Sequence, residues 1–153
     1  MARGPSKGAP APSSRPAVLL VDDEPMLLDA LSRHLEGVFR LHTAADAVKA
    51  DAILAAHPVD VIVCDHVLPG EQGLDFLERS KAAYPAAKRI LVTGYSNPDF
   101  IARGIETAGL SACLLKPARA SEIAGAVRAA LVGWSPSGPG PAGKGRSSST
   151  SSS

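Results

Sequence analysis

Apolar and polar positions along this chain fall into blocks of two kinds. Short runs rich in Val, Ile and Leu ("AVLLV" at 17–21, "VFRLHT" at 38–43, "VDVIVC" at 59–64, "RILVT" at 89–93 and "SACLL" at 111–115) are separated by longer segments with apolar residues at helical spacing. Several runs are continuous, as strands covered on both faces require, and this favours a parallel sheet. The spacing predicts a helix over 24–37, with Pro25 in its first turn, Leu27, Leu28, Leu31 and Leu35 on one stripe and Gly37 as its stop. A second over 73–85 carries Leu74, Leu77 and Tyr84 and ends at Pro85. A third over 97–109 has Asn97 as N-cap, Pro98 at its first position, Ile101 and Ile105 on its stripe and Gly109 at its end. A fourth over 121–134 aligns Ile123, Val127 and Leu131, and an Ala-rich stretch over 45–56 has only Val48, Ile53 and Leu54 to anchor it. Five strands alternating with five helices predict an α/β fold, a doubly wound five-stranded parallel sheet with right-handed crossovers. In such a sheet a site forms outside the carboxyl ends of the strands, where strand order reverses.

The 153 residues suit one domain plus tails. Residues 1–16 and 135–153 are Pro, Gly, Ser and Ala with scattered bases, so both are expected to be disordered, leaving 17–134 as the domain. Charge divides along the same boundaries. All 15 acids lie between Asp22 and Glu122, while five of the 16 bases lie in the tails, so the domain holds 11 bases against 15 acids, a net of −4. Such a surface is a poor partner for nucleic acid, whose phosphates call for a clustered basic face. The N-terminus lacks the apolar core of a secretory signal and no run of 18 apolar residues occurs, so a soluble, cytoplasmic protein without membrane insertion is expected. Cys64 and Cys113 lie in apolar runs, where buried thiols are expected, and His34, His42 and His57 have no partners at ligand spacing.

The chemistry lies just past the strands. Asp22, Asp23 and Glu24 follow the first, Asp65 the third, Thr93 the fourth and Lys116 the fifth. Taken singly, each has a plainer reading: an Asp before a helix is usually a cap, and a Lys after a strand is usually solvated. Together they must reach the same rim of the sheet. Carboxylates about 4 Å apart repel by roughly 4 kcal/mol per pair at an effective dielectric near 20, which one lysine cannot offset for three acids. A divalent cation can, and carboxylates with backbone oxygen and water suit Mg²⁺. A carboxylate beside it can attack phosphorus and become an acyl phosphate, with Lys116 neutralising charge on the transferring oxygens and Thr93 donating its hydroxyl. Asp65, held by a buried strand and followed by a loop built on Pro69, Gly70 and Gly73, is left uncovered for that role.

The segments "LLVDDEP", "VIVCDHVLPGEQGL", "RILVTGYS" and "LLKP", in this order and spacing, make the sequence resemble the receiver domains of two-component response regulators, the CheY-like family with its flavodoxin-like fold. The resemblance covers 17–134. It implies that Asp65 is the phosphoacceptor, that Asp22, Asp23, Asp65 and the backbone carbonyl of Val67 surround Mg²⁺, that Thr93 is the switch hydroxyl and that Lys116 binds phosphate. It also implies a cis bond between Lys116 and Pro117, a sensor histidine kinase or phosphotransfer protein as phosphohistidine donor, and a protein as the downstream partner. The chain would catalyse only its own phosphorylation and dephosphorylation.

The sequence departs from the family at three places. Where the family usually carries Tyr or Phe three residues before the lysine, this chain has Cys113, and Tyr95 is a candidate substitute. Val67 and Tyr95 occupy the places that tune access of water to the phosphoryl group, so slow self-dephosphorylation is expected. Gly104 interrupts the helix over 97–109 at a cost of about 1 kcal/mol relative to Ala, either loosening the usual output face or sitting harmlessly at the surface. His66, beside the acceptor, is expected to be an exposed loop side chain. The leading expectation is a stand-alone receiver, because the 19 residues after Trp134 are too few and too polar for an output module. "RILVTGYS" is similar to receivers attached to HD-type cyclic-dinucleotide phosphodiesterases. A phosphate-independent docking module is the second reading, favoured by Cys113. A haloacid dehalogenase type of phosphatase is the third, opposed by the order of the acids along the chain.

Overall fold

The computed structural model describes residues 15–95 and 97–134. The expected disordered tails lie outside them except for Arg15 and Pro16, whose carbonyls accept hydrogen bonds from Arg40 Nε and the Arg40 amide at 3.0 and 2.8 Å. Five strands, β1 (Ala17–Val21), β2 (Arg40–Ala44), β3 (Val61–Asp65), β4 (Lys88–Thr93) and β5 (Ala112–Leu115), alternate with helices α1 (Pro25–Leu35), α2 (Ala47–Ala56), α3 (Gly73–Ala83), α4 (Pro98–Ala108) and α5 (Ala120–Ala130). All strand pairs are parallel, in the order β2-β1-β3-β4-β5. The doubly wound α/β expectation holds, and the reversal of strand order falls between β1 and β3.

Continuous apolar runs make sense because each strand feeds two cores. Leu19, Val21, Ile62, Cys64 and Leu91 point to the layer of α2, α3 and α4, with Phe76, Leu77 and Leu54. Val18, Leu20, Val61, Val63, Ile90 and Val92 point the other way, to Leu31 and Leu35 of α1 and Ile123 and Val127 of α5. Each such side chain, fully buried, contributes about 1.5–3 kcal/mol.

Element ends shift by a few residues from the expected ones, each for a local reason. β2 begins at Arg40 because Val38 and Phe39 belong to the turn closing α1, where their amides donate to the Leu35 carbonyl at 3.0 Å. β3 begins at Val61 because Asp60 is engaged with β1, its Oδ2 accepting from the Ala17 amide at 2.8 Å. α5 ends at Ala130, short of the expected 134. The Ala-rich α2 has a real start signal, Asp46, whose Oδ1 accepts from the Lys49 amide at 2.8 Å. α4 opens as expected, with Asn97 Oδ1 accepting from the amides of Asp99 and Phe100 at 2.8 and 3.1 Å.

Gly104 corrects both expectations made for it. It is buried, and a Cβ there would lie 3.2 Å from Leu74 Cδ1 and 3.3 Å from Leu110 Cδ1, so glycine is what lets α4 settle on α3. The helix buries the line Phe100, Gly104, Ala108, and Ile105 of the expected stripe is 48% exposed. Gly104→Ala should therefore leave stability within about 1 kcal/mol, the gain in helix propensity being offset by the crowded leucines. The larger Gly104→Val should cost about 1–3 kcal/mol of overpacking in urea unfolding. A Gly104→Val protein as stable as wild type would show the space is not limiting.

Candidate functional site at the carboxyl edge of the sheet

The ends of β1 and β3, neighbours at the reversal point, carry the acids. Asp22, Asp23 and Asp65 each offer a carboxylate oxygen, and these oxygens lie within 4.8 Å of one another. Asp22 and Asp65 are buried and Asp23 is exposed, and among the described residues this is the one such group of His, Cys, Asp or Glu side chains. Asp22 Oδ1 accepts from the Glu24 amide at 2.9 Å, which orients its carboxyl at the entry to α1. Lys116, from the end of β5, sets its Nζ 3.1 Å from Asp65 Oδ1 and 3.9 Å from Asp22 Oδ2. The Lys116–Pro117 bond is cis. Thr93 ends β4, buried, with Oγ1 accepting from the Tyr95 amide at 3.0 Å and its carbonyl accepting from the Lys116 amide at 2.9 Å.

The electrostatics follow from crowding. Burial, and then the charge of Asp65, raises the Asp22 pKa against the opposing pull of the Glu24 amide and Lys116. Burial pulls Lys116 down, but its hydrogen bond to Asp65 and the charges of Asp65, Asp22 and Glu24 outweigh it, so its pKa is raised and it stays a cation. One ammonium against three clustered carboxylates leaves a negative excess. Hard oxygen donors in that arrangement fit Mg²⁺. Val67, two residues past Asp65, lies in the loop between β3 and α3 with its side chain largely exposed.

That loop is fastened from the side. Arg79 of α3 donates from Nε and Nη2 to Glu71 at 3.1 and 2.8 Å, and from Nη1 and Nη2 to Asp51 of α2 at 3.1 Å each. At its far end the Gly73 amide donates to the His66 carbonyl at 2.7 Å. Beside the acids lies a cavity of about 470 Å³, lined by Asp22, Asp65 and Lys116 and walled by Leu27, Leu28, Ala118 and Ile123 among others.

The structure thus brings Asp22, Asp23, Asp65 and Lys116 together, and places Thr93 on the adjoining strand end. It corrects the expectation for His66, which is 3% exposed. Its ring lies 4.9 Å from Phe100 and 5.5 Å from Tyr95, and burial lowers its pKa despite the charges of Asp65 and Asp75. The signal was present: Ile62 and Cys64 face the α3–α4 layer, and alternation carries His66 to the same side. The rings of His42 and His57 stack at 4.7 Å. Cys64 is buried as expected, but Cys113 is only partly so, and burial raises both thiols above their ordinary value. Among the described residues no helix is long and apolar enough to cross a membrane.

Known proteins resemble this arrangement over the same span. The model of the response regulator receiver domain matches residues 18–128. The hydrogenase transcriptional regulatory protein HoxA of Cupriavidus necator is 39% identical over 114 residues, 74% of this chain and 24% of that protein. The probable transcriptional regulatory protein TcrX of Mycobacterium tuberculosis is 34% identical over 116 residues, 74% of this chain and 49% of that one. The chain therefore spans half or less of either relative. Among solved structures, the signal receiver domain of an HD domain-containing protein from Pseudomonas fluorescens Pf-5 superposes with a TM-score of 0.72 at 35% identity, covering 78% of this chain and 96% of that one. The family match runs from β1 into α5 and leaves no strand of the sheet outside it: the chain belongs to the receiver domain family of two-component response regulators.

Proposed function

We propose that this receiver is a phosphorylation switch in which Asp65 accepts a phosphoryl group from a phosphohistidine, on a sensor histidine kinase or phosphotransfer protein. The observation that carries the reading is the cluster of Asp22, Asp23 and Asp65 with Lys116 Nζ 3.1 Å from the Asp65 carboxylate. Asp22, Asp23, Asp65 and the Val67 carbonyl would hold Mg²⁺, which when bound neutralises the carboxylates and the phosphoryl oxygens. An Asp65 carboxylate oxygen attacks phosphorus, the P–N bond breaks and its electron pair returns to the donor imidazole. Lys116 holds a phosphoryl oxygen by charge, and the Thr93 hydroxyl donates to another once the group is on Asp65. Val67 and Tyr95, at the places that in the family tune access of water to the phosphoryl group, would slow hydrolysis of the acyl phosphate.

Output is by protein contact, and the domain's net charge of −4 argues against a direct grip on nucleic acid. Cytoplasmic location belongs to the same proposal. Incubation with Mg²⁺ and radiolabelled acetyl phosphate tests it: wild type should take a base-labile label, and Asp65→Ala should take none. A wild type that stays unlabelled would transfer the case to phosphate-independent docking, which the absence of a ring at Cys113 favours.

A further inference from the structure

His66 is a buried ring that phosphoacceptor chemistry leaves unused. Its position is fixed through the backbone, its amide donating to the Val92 carbonyl at 2.9 Å and its carbonyl accepting from the Gly73 amide at 2.7 Å. The Leu74 amide, 3.4 Å away, faces its Nδ1. So held, it forms one corner of a cluster with Tyr95 and Phe100, which meet each other edge to face at 5.3 Å. All three centroid separations fall in the range where aromatic pairs attract by about 0.5–1.5 kcal/mol beyond area burial.

The three rings belong to different parts. His66 is fixed to the acceptor strand, Tyr95 rides on the loop directly after Thr93, and Phe100 sits in the first turn of α4. The Tyr95 amide donates to Thr93 Oγ1 at 3.0 Å, so the hydroxyl expected to turn toward a phosphoryl group already holds the loop that carries the Tyr95 ring. Turning the hydroxyl away would break that hydrogen bond. The opposite end of α4 is anchored elsewhere: Arg89, 7% exposed, donates from Nε to the Ala108 carbonyl at 2.7 Å and from Nη1 to the Ala87 carbonyl at 2.6 Å. Arg89 makes no salt bridge among the described residues, and its charge faces the negative end of the α4 dipole.

We propose that His66, Tyr95 and Phe100 form a relay that converts occupancy of Asp65 into displacement of the first turn of α4, with the Arg89-bound end of the helix as pivot. The relay supplies the ring contact that Cys113 cannot, and it rests on the phosphoacceptor reading above. His66 acts in it as a positioning residue, a fixed surface against which the other two rings move.

Beryllofluoride with Mg²⁺, a stable stand-in for the phosphoryl group, tests the relay by amide NMR on the whole chain, each protein being compared with itself before and after addition. In wild type the Asp99, Phe100 and Ile101 amides should shift while those of Ala108 and Gly109 stay nearly in place. Phe100→Leu should still take label at Asp65 from acetyl phosphate yet lose the α4 shift. Tyr95→Ala and His66→Ala should lose it too, whereas Tyr95→Phe and His66→Phe, which keep a ring, should retain it. A full α4 shift in Phe100→Leu or Tyr95→Ala, or a labelled wild type whose α4 does not respond, would overturn the relay and leave the phosphoacceptor reading standing. A wild type that takes no label defeats both.

Discussion

Gly73→Ala is expected to destabilise the protein by about 3 kcal/mol, the upper end of ordinary overpacking, and to lower labelling of Asp65 sharply in the fraction that remains folded. Gly73 is the first residue of α3, and its amide closes the acceptor loop on the His66 carbonyl. A Cβ at this position would fall on the Asp65 carbonyl oxygen and come within 2.8 Å of both the Asp65 carbonyl carbon and His66 Cα. These are backbone atoms at the end of a buried strand, with no rotamer to move aside. Either α3 retreats, opening the layer that Phe76 and Leu77 fill, or the end of β3 bends and takes the carboxylate with it. Gly125→Ala is the control, since a Cβ there meets nothing within 4 Å and should gain up to about 1 kcal/mol. Urea unfolding and acetyl phosphate labelling of the two variants side by side decide it. Wild-type stability and labelling in Gly73→Ala would mean that the close approach of α3 does not set the position of Asp65.

The contrast between Gly73 and Asp65 shows which features a sequence exposes. Asp22, Asp65, Thr93 and Lys116 were legible because strand ends are marked by where an apolar run stops, and topology sends all such ends to one rim. The parallel sheet and the two-sided core followed from the same runs, whereas the order β2-β1-β3-β4-β5 is read from the structure. What escaped was set by contacts between elements far apart in the chain. Gly104 looks like a flaw in α4 until Leu74 and Leu110 are placed against it. Nothing in the run 89–93 announces that the Arg89 guanidinium lies among the carbonyls of Ala87 and Ala108. His66 reads as a loop residue because the loop signal of Pro69 and Gly70 hides the last inward step of strand alternation. The stripe Ile101–Ile105 follows hydrophobicity alone, whereas the face α4 buries carries Gly104 and Ala108, whose small size allows close packing.

The acids themselves yield the other large effect, because a group arranged for function works against the fold. Asp22→Asn should raise stability in magnesium-free buffer by about 1–2 kcal/mol and remove the stabilisation that magnesium gives. Asn keeps an Oδ1 for the Glu24 amide, so the entry to α1 is preserved while the charge facing Asp65 is lost. Burial and Asp65 raise the Asp22 pKa above its ordinary 3.8, so between the unfolded and folded values the native state binds more protons than the unfolded chain. Through this residue stability falls as pH rises across that window, and the penalty is fully present above it. The variant should lack that fall. An ion held only by the native protein stabilises it by RT ln(1 + [L]/Kd), about 2.7 kcal/mol at a hundred times Kd, and wild type should show this as a magnesium-dependent rise in Tm. Melting curves of both proteins with and without magnesium, at neutral and mildly acidic pH, measure all three effects. An Asp22→Asn protein less stable than wild type without magnesium would mean that Asp22 is not strained by its neighbours, and one equally responsive to magnesium would mean that it does not hold the ion.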